Sequence, residues 1–203
     1  ALPSLRKLGV ELVELDRWNC CGTVFSFTTD NVMYHLAPVR NLLRAREQGY
    51  DAVFTLCSMC YNTLKRANRL FNDDAEKNEK IRNIMYMEDI DYDGSAKVIH
   101  ILELLRDSIG MDKVKEKVQD NFKNMKLAPY YGCMVPRPSS MESFDDPEHP
   151  MTMDTLFEKL GAIVIDFPLK AQCCGGHMTQ ISEETALEMI RRLLKNADDY
   201  GAD

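Results

Sequence analysis

The sequence lacks the features that mark several large classes of protein. No run in its 203 residues approaches the roughly 18 consecutive apolar residues that a membrane-spanning helix requires. Lys and Arg number 25 against 32 Asp and Glu, and the net charge of −7 argues against a general nucleic-acid binder and against an electrostatic membrane anchor. No signal peptide is visible, because the N-terminus is amphipathic and has no apolar core segment. We therefore predict a protein that binds no nucleic acid and does not insert directly into a membrane.

Cysteine is the informative residue type. The chain has seven cysteines, an odd number, and they are clustered as Cys-Cys and Cys-x-x-Cys pairs. A secreted disulfide framework normally uses an even number, whereas such clusters are typical of metal binding or redox chemistry. Twelve methionines and an acidic composition agree with a reducing compartment. The predicted location is therefore the cytoplasm.

The sequence repeats itself around its two cysteine doublets. Lys7-Leu8-Gly9-Val10 leads through an apolar run to Cys20-Cys21-Gly22, and Lys159-Leu160-Gly161-Ala162 leads through a second apolar run to Cys173-Cys174-Gly175. The two doublets lie 153 residues apart. Repetition of this kind indicates a duplicated structural unit.

Apolar periodicity predicts alternating strands and helices. Strands are expected at residues 10–15, 52–56, 97–101, 126–131 and 162–167, and helices at 32–43, 61–71, 79–87, 101–109, 111–122, 152–160 and 182–197. Because strands alternate with helices, we predict an α/β fold of two pseudo-repeated modules with mainly parallel sheets flanked by helices. The C-terminal part of the first module is expected at 1–72, a helical connector at 73–124, and the N-terminal part of the second module at 125–203.

The spacing of the cysteines predicts five of them in each complete module. Applied to Cys57 and Cys60, the repeat offset of 153 residues points to partners near position 210, and applied to Cys133 it points to a partner near position −20. The chain also begins with Ala1 rather than Met. We therefore expect a protein truncated at both ends, with four cysteines of one module and three of the other.

These motifs resemble a known family. The full pattern is a cysteine, then about 39 residues, Cys-Cys-Gly, about 35 further residues and Cys-x-x-Cys. This pattern is similar to the cysteine-rich CCG domain, and two such domains in tandem resemble the B-type subunit of heterodisulfide reductase. The segments that carry the resemblance are Trp18-Asn19-Cys20-Cys21-Gly22, Leu56-Cys57-Ser58-Met59-Cys60-Tyr61-Asn62, Tyr131-Gly132-Cys133 and Cys173-Cys174-Gly175-Gly176. They look like the versions found in bacterial relatives, and the resemblance covers essentially the whole chain.

The resemblance implies a disulfide-reducing oxidoreductase that acts as the catalytic subunit of a complex. Each complete CCG motif of the family holds a non-cubane [4Fe-4S] cluster. By resemblance, one cluster would be held by Cys20, Cys21, Cys57 and Cys60, and part of the other by Cys133, Cys173 and Cys174. The catalytic cysteines would be Cys20, Cys21, Cys133, Cys173 and Cys174. The implied partners are a ferredoxin-like C-type subunit, a flavin-containing A-type subunit and a disulfide substrate.

One position departs from the family pattern. Methanogen-type members often have a histidine directly after the cysteine that matches Cys133, and this sequence has Met134 there. If that histidine donates a proton or orients the substrate, this protein must use another group or another substrate.

The residue types suit this chemistry but leave alternatives open. Thiolates are soft ligands that prefer iron–sulfur clusters or zinc to hard cations, and four sulfurs suffice for zinc. The start of a helix at Cys60 is expected to lower the pKa of its thiol. Zinc, or no metal, is therefore an alternative cofactor state of this chain. Two other functions compete: an iron–sulfur electron-transfer subunit of a lactate, glycolate or succinate oxidoreductase, and a zinc-stapled interaction module.

Overall fold

Short parallel strands and longer helices alternate along the chain in the computed structural model, which describes residues 2–22, 32–118, 122–137 and 145–203. The strands are β1 (Ala52–Thr55), β2 (Lys97–His100), β3 (Lys126–Leu127) and β4 (Ile163–Val164). The helices are α1 (Leu2–Lys7), α2 (Met33–Glu47), α3 (Ser58–Asp73), α4 (Ala75–Ile84), α5 (Ile101–Glu103, followed by a π-helical turn at Leu104–Ile109), α6 (Met111–Lys117), α7 (Thr152–Lys159) and α8 (Glu183–Asp199). A 3₁₀ turn covers Gly176–Gln180.

Both sheets in the described part of the chain are parallel. β1 pairs with β2 in a register that runs from Ala52 opposite Lys97 to Thr55 opposite His100. β3 pairs with β4 through Lys126 opposite Ile163 and Leu127 opposite Val164. The α/β class with parallel strands is thus confirmed.

The chain divides into two compact units. Unit one comprises residues 12–101, and unit two comprises residues 1–11 together with 102–203. Each unit contains one of the two sheets and one of the two cysteine doublets. The module boundaries at residues 72 and 124 stay a prediction.

The core of unit one lies where α2 packs on α3. The residues that α2 contributes to it are Leu36, Val39, Leu42 and Leu43, and α3 contributes Leu64, Ala67 and Phe71. Their spacing of three and four residues puts them on one face of each helix. Pro38 lies inside α2 and does not end it, whereas Gly49 does end it with φ +80° and an amide bonded to the carbonyl of Arg46.

Unit two is organised around α7, which contacts α6 and β4. Its buried apolar residues include Tyr131, Val135, Leu156 and Phe167. The long helix α8 starts at a side-chain cap, because the Ser182 hydroxyl accepts a hydrogen bond from the backbone amide of Thr185. No helix in the described part of the chain is both long enough and apolar enough to cross a membrane.

Several predicted elements are shorter than expected or missing. Residues 10–15 form no strand although their apolar residues alternate, and Val13 is exposed. The strands predicted at 126–131 and 162–167 keep only two residues each. A strand exists only where a neighbouring backbone supplies hydrogen bonds, and side-chain alternation alone does not contain that information. The helix expected at 111–122 ends at Lys117, and residues 119–121 lie outside the described ranges.

Candidate functional site

Site one comprises Cys20, Cys21, Cys57 and Cys60, all within unit one. Strand β1 ends two residues before Cys57, whose extended backbone makes it the residue at which α3 begins. The amide of Cys57 donates to the Thr55 hydroxyl, and its carbonyl accepts from the amide of Tyr61. Cys60 therefore lies in the first turn of α3, on backbone that is fixed at both ends of the Cys-x-x-Cys segment.

The fold brings the first doublet onto this helix turn. Cys21 Sγ lies 2.8 Å from Cys60 Sγ, although the two residues are 39 positions apart in the sequence. All seven cysteines lie within the described ranges, and each carries a thiol rather than a disulfide. Cys21 is buried, whereas Cys20 and Cys57 are exposed. Site one thus pairs the buried Cys21 with the half-buried Cys60, and its other two cysteines are exposed.

The contact with Cys21 changes the acidity of Cys60. The pKa of Cys60 is raised, first by its hydrogen bond with Cys21, then by burial and by the charge of Cys21, while a hydrogen bond with Cys57 acts in the opposite direction. The expectation that the start of α3 would lower this pKa is therefore wrong for the metal-free thiol. The neighbouring sulfur outweighs the favourable helix terminus, because it competes for the same proton at short range.

The first doublet is anchored by a buried amide side chain that belongs to none of the cysteine motifs. Asn41 Oδ1 accepts from the backbone amide of Asn19 at 3.0 Å, and Asn41 Nδ2 donates to the Asn19 carbonyl at 2.8 Å. Asn41 lies on the buried face of α2. Both backbone polar groups of the residue before Cys20 are thus paired with one side chain.

Site two comprises Cys133, Cys173 and Cys174, all within unit two. The backbone amides of Tyr131 and Gly132 both donate to the carbonyl of Lys170, at 2.9 Å and 3.1 Å. These bonds hold the segment before Cys133 against the segment before Cys173. The pKa of Cys133 is raised, first by burial and then by the charge and hydrogen bonding of Cys173, with a smaller contribution from the charge of Cys174. The fold thus brings these three thiols into one electrostatic neighbourhood.

Tyr130 adds a hydroxyl to site two. Its O–H donates to the carbonyl of Gln172 at 2.6 Å, one residue before the doublet. The pKa of Tyr130 is raised by burial and then by Cys174, with further contributions from Cys133 and Cys173. Its position directly before Tyr131-Gly132-Cys133 was the only sequence signal that could have identified it.

The two doublets form the same local structure. Gly22 and Gly175 both have φ +78°, a conformation that glycine adopts without steric cost. The amide of Gly22 donates to Cys20 Sγ at 3.5 Å, and the amide of Gly175 donates to Cys173 Sγ at 3.4 Å. In each doublet the first cysteine is exposed and the second is more buried. The repeat seen in the sequence is therefore also a repeat of backbone geometry.

The repeat extends to the Lys-Leu-Gly segments. Gly9 and Gly161 end α1 and α7 with φ +81° and +93°, and each amide donates to the carbonyl three residues earlier. The next residues, Val10 and Ala162, each donate to the carbonyl five residues earlier. Both helices thus end in the same hydrogen-bonded turn.

The cysteine groups differ in how they follow the strands. Only Cys57 comes directly after a strand end, and no strand precedes the first doublet in the described ranges. Trp18, two residues before the first doublet, is 61% exposed and donates its indole N–H to Glu14. His177 lies in the 3₁₀ turn that follows the second doublet.

The donor set fits an iron–sulfur group better than a hard cation, because it consists of soft thiolates. Gly176 leaves room beside one of them, since a Cβ at this position would lie 3.4 Å from Cys174 Sγ. In the metal-free arrangement of residues 2–22, 32–118, 122–137 and 145–203, no three cysteine, histidine or carboxylate side chains are already placed as a group that could hold a metal ion.

Comparison with known proteins identifies the family. The family model described as a cysteine-rich domain, CCG, matches residues 2–65 and 127–203. The chain belongs to this cysteine-rich domain family. The CCG matches include both doublets, in agreement with the internal repeat.

Curated relatives of this CCG protein include subunits of two kinds of reductase. The chain is 30% identical over 190 residues to the 8-methylmenaquinol:fumarate reductase membrane anchor subunit of Wolinella succinogenes, with 94% of this chain and 65% of the relative covered. It is 30% identical over 204 residues to the B-type subunit of the ferredoxin/F420H2-dependent CoB-CoM heterodisulfide reductase of Methanosarcina acetivorans, with 98% and 67% covered. A protein of Archaeoglobus profundus, named as similar to the B-type heterodisulfide reductase subunit, is 28% identical over 193 residues, with 93% and 64% covered. The chain thus spans about two thirds of the length of these relatives.

Proposed function

We propose that this chain is part of a disulfide-reducing oxidoreductase, as a counterpart of the B-type subunit of heterodisulfide reductase, and that its two cysteine sites hold iron–sulfur clusters. One observation carries the proposal. A Cys-Cys-Gly turn with the same φ and the same N–H···S bond occurs in both units, each time beside thiols from a distant segment. A single structural metal or a lone dithiol would need neither the doublet nor its duplication.

The cysteines supply the ligands in this proposal. Cys20, Cys21, Cys57 and Cys60 would hold a non-cubane [4Fe-4S] cluster at site one, and Cys133, Cys173 and Cys174 would hold part of a second one. When bound, the clusters supply single electrons for the reduction of a disulfide to two thiols, a reaction that consumes two electrons and two protons. The role of the chain is to deprotonate, orient and partly bury its thiols around these groups.

The geometry gives the two sulfurs of each doublet different surroundings. Cys20 and Cys173 are exposed and are the doublet sulfurs that a substrate can approach, whereas Cys21 and Cys174 are more buried. We assign the catalytic role to these four doublet cysteines and to Cys133. Unbound Cys60 and Cys133 hold their protons because their pKa values are raised, so loading of both sites must release protons.

The electron source and the location follow from the same proposal. A ferredoxin-like C-type subunit would deliver electrons one at a time, and a flavin-containing A-type subunit would supply electrons to the C-type subunit. An odd number of clustered cysteines, with an acidic composition, favours a cytoplasmic complex.

The relative from Wolinella succinogenes supports a second candidate function. Its name places a protein of similar sequence in a fumarate reductase, and the alignment covers 94% of this chain. In this alternative the clusters would only carry electrons within a lactate, glycolate or succinate oxidoreductase. Substrate disulfide would then have no access to iron.

The deciding experiment uses the full-length protein purified without oxygen together with the subunits that accompany it. Iron, acid-labile sulfide and zinc are measured per chain, and the electron paramagnetic resonance spectrum is recorded before and after addition of CoB-CoM heterodisulfide or cystine. The variants Cys20→Ser and Cys133→Ser separate the two sites. Ser58→Ala is the matched control, because it changes the Cys-x-x-Cys segment without removing a sulfur.

The outcomes separate the candidates. Iron and sulfide with a signal that changes on addition of disulfide, and that each cysteine variant diminishes, support the disulfide-reducing function. Iron and sulfide without a response to either disulfide, in a complex with a dehydrogenase or fumarate reductase subunit, support electron transfer alone. Zinc without sulfide overturns both and leaves the interaction module.

A further inference from the structure

Unit two contains a buried ion pair beside the cysteine segments. Lys170 Nζ lies 3.1 Å from Asp154 Oδ1, and the two side chains are only 2% and 1% exposed. Asp166 Oδ1 lies 2.8 Å from the same ammonium group, and the sulfur of Met151 accepts from it at 3.4 Å. Burial of charge is costly unless the charge is paired and hydrogen-bonded, so this cluster holds a defined arrangement.

The hydroxyl of Tyr131 joins the ion pair to α7. It donates to Asp154 Oδ2 at 2.5 Å and accepts from the backbone amides of Met153 and Asp154 at 2.7 Å and 3.2 Å. These amides belong to the first turn of α7, which lacks intrahelical acceptors. One buried hydroxyl thus caps α7 and binds the carboxylate that faces Lys170.

The same three residues hold both cysteine segments of site two. Tyr131 lies two residues before Cys133, and Lys170 lies three residues before Cys173. The carbonyl of Lys170 accepts from the amides of Tyr131 and Gly132, while its ammonium group binds Asp154 of α7. Main-chain and side-chain hydrogen bonds therefore connect the segment before Cys133, the segment before Cys173 and α7 to one another.

We propose that Lys170, Asp154 and Tyr131 are positioning residues that fix Cys133 relative to Cys173 and Cys174. The identity of the group that these thiols hold rests on the proposed function, but the positioning itself does not. Well-packed apolar residues would stabilise this core at least as well as a buried ion pair, so stability alone does not explain the network. Site one is anchored differently, by the neutral amide of Asn41.

The variants separate positioning from stability. Lys170→Met removes the ammonium group, Tyr131→Phe removes only the hydroxyl, and the double variant Lys170→Met with Asp154→Leu avoids a buried unpaired carboxylate. Leu156→Ala destabilises the same helix through a cavity without touching the network. Lys159→Met removes the more exposed ion pair with Asp112 in the same unit.

The readout uses cobalt(II) rather than iron. In a full chain with the four cysteines of site one changed to serine, metal-free and reduced, Co(II) is titrated and its sulfur-to-metal charge-transfer absorption is followed. The rate at which diamide oxidises Cys133 and Cys173 to a disulfide is measured on the same samples. We expect Lys170→Met, Tyr131→Phe and the double variant to weaken Co(II) binding about 10- to 100-fold, the range found for residues that orient metal ligands, and to slow the oxidation. Leu156→Ala and Lys159→Met should stay near the parent chain.

Each outcome decides the proposal. Parent-like cobalt binding and oxidation in Tyr131→Phe and in the folded double variant overturn it, and so does an equal loss in Leu156→Ala. If Lys170→Met alone does not fold, these other variants still decide. If the parent chain takes up no Co(II), the oxidation rates of the same variants decide. If the variants of Lys170, Asp154 and Tyr131 change these readouts but the protein takes up no iron, only the proposed function is contradicted. If the iron chemistry is normal but these variants have no effect, only this inference is contradicted.

Discussion

Asn41 offers a direct test of how the first doublet is positioned. Its side chain makes two hydrogen bonds to the backbone of Asn19, one residue before Cys20, and no other described side chain bonds both of these groups. Asn41→Leu keeps a side chain of similar size and removes both bonds. The expected consequence is a looser Cys20-Cys21 segment on an otherwise preserved α2.

The magnitude follows from the two lost bonds. A typical intramolecular hydrogen bond contributes roughly 0.5–1.5 kcal/mol to stability, and an unsatisfied buried partner costs somewhat more. Because Asn41 is only 6% exposed, little water can replace it. We expect the free energy of unfolding to fall by about 1–3 kcal/mol.

The assay combines stability with local exposure. Urea denaturation followed by circular dichroism gives the free energy of unfolding, and mass spectrometry gives the rate at which iodoacetamide alkylates Cys21 in the native protein. Asn68→Leu is the matched control, because Asn68 also makes two hydrogen bonds in unit one, to the Ala96 carbonyl and from the Tyr92 hydroxyl. Asn41→Leu should speed the alkylation of Cys21 about tenfold or more if the anchor contributes the roughly 1.4 kcal/mol that corresponds to that factor.

The two variants are expected to lose similar stability but to differ in the reactivity of Cys21. Equal acceleration in both variants would show that Cys21 reacts through general opening of unit one. Equal reactivity of Asn41→Leu and the parent chain would show that the bonds to Asn19 do not hold the doublet. Either result refutes the reasoning.

Three further predictions test the turn of the second doublet, a half-buried histidine and a helix start. Gly175→Ala should lower stability by about 2 kcal/mol or more in thermal unfolding, because φ is +78° and a Cβ would lie 2.9 Å from Met189 Sδ. The control Gly201→Ala has φ +96° but open space around the Cβ position, so it should lower stability by only about 1 kcal/mol. Burial lowers the pKa of His35 from 6.5 to about 4, so the unfolded chain takes up a proton at a higher pH than the folded chain does. The free energy of unfolding from urea titrations should therefore fall by about 1 kcal/mol between pH 7 and pH 5, allowing for the partial exposure of His35. His35→Gln should lose this pH dependence. Ser182→Ala should destabilise α8 by about 1 kcal/mol, measured by the loss of helical circular dichroism on heating, and Ser182→Asp should restore most of it.

The sequence was a good guide to helices and a poor guide to strand length. The helices predicted at 61–71, 152–160 and 182–197 occur as α3, α7 and α8 within a few residues, because their periodicity, caps and terminal glycines are local signals. The strands predicted at 126–131 and 162–167 have only two residues each in the structure. Strand length depends on how far a second backbone runs alongside, and that backbone belongs to a distant part of the chain.

The sequence also identified the doublets and their repetition, but not the residues that position them. Cysteine spacing and the glycine after each doublet are visible in the sequence, whereas the shared φ of +78° at Gly22 and Gly175 is visible only in the structure. Asn41 and Lys170 gave no such signal, since an asparagine in a helix and a lysine in a loop are ordinary surface residues by sequence. Their role became visible only when burial and hydrogen bonds were known.

By itself, the amino-acid order determined the α/β class, the duplicated Cys-Cys-Gly turns and the soft, sulfur-rich chemistry, because these depend on residue type and short-range spacing. Only the tertiary structure decided that Cys21 meets Cys60 across 39 residues, that Tyr130 joins the second thiol group, and that a buried ion pair holds its segments together. Contacts between distant segments depend on how helices and strands pack around a common core. Residue type and short-range spacing carry no direct record of that packing.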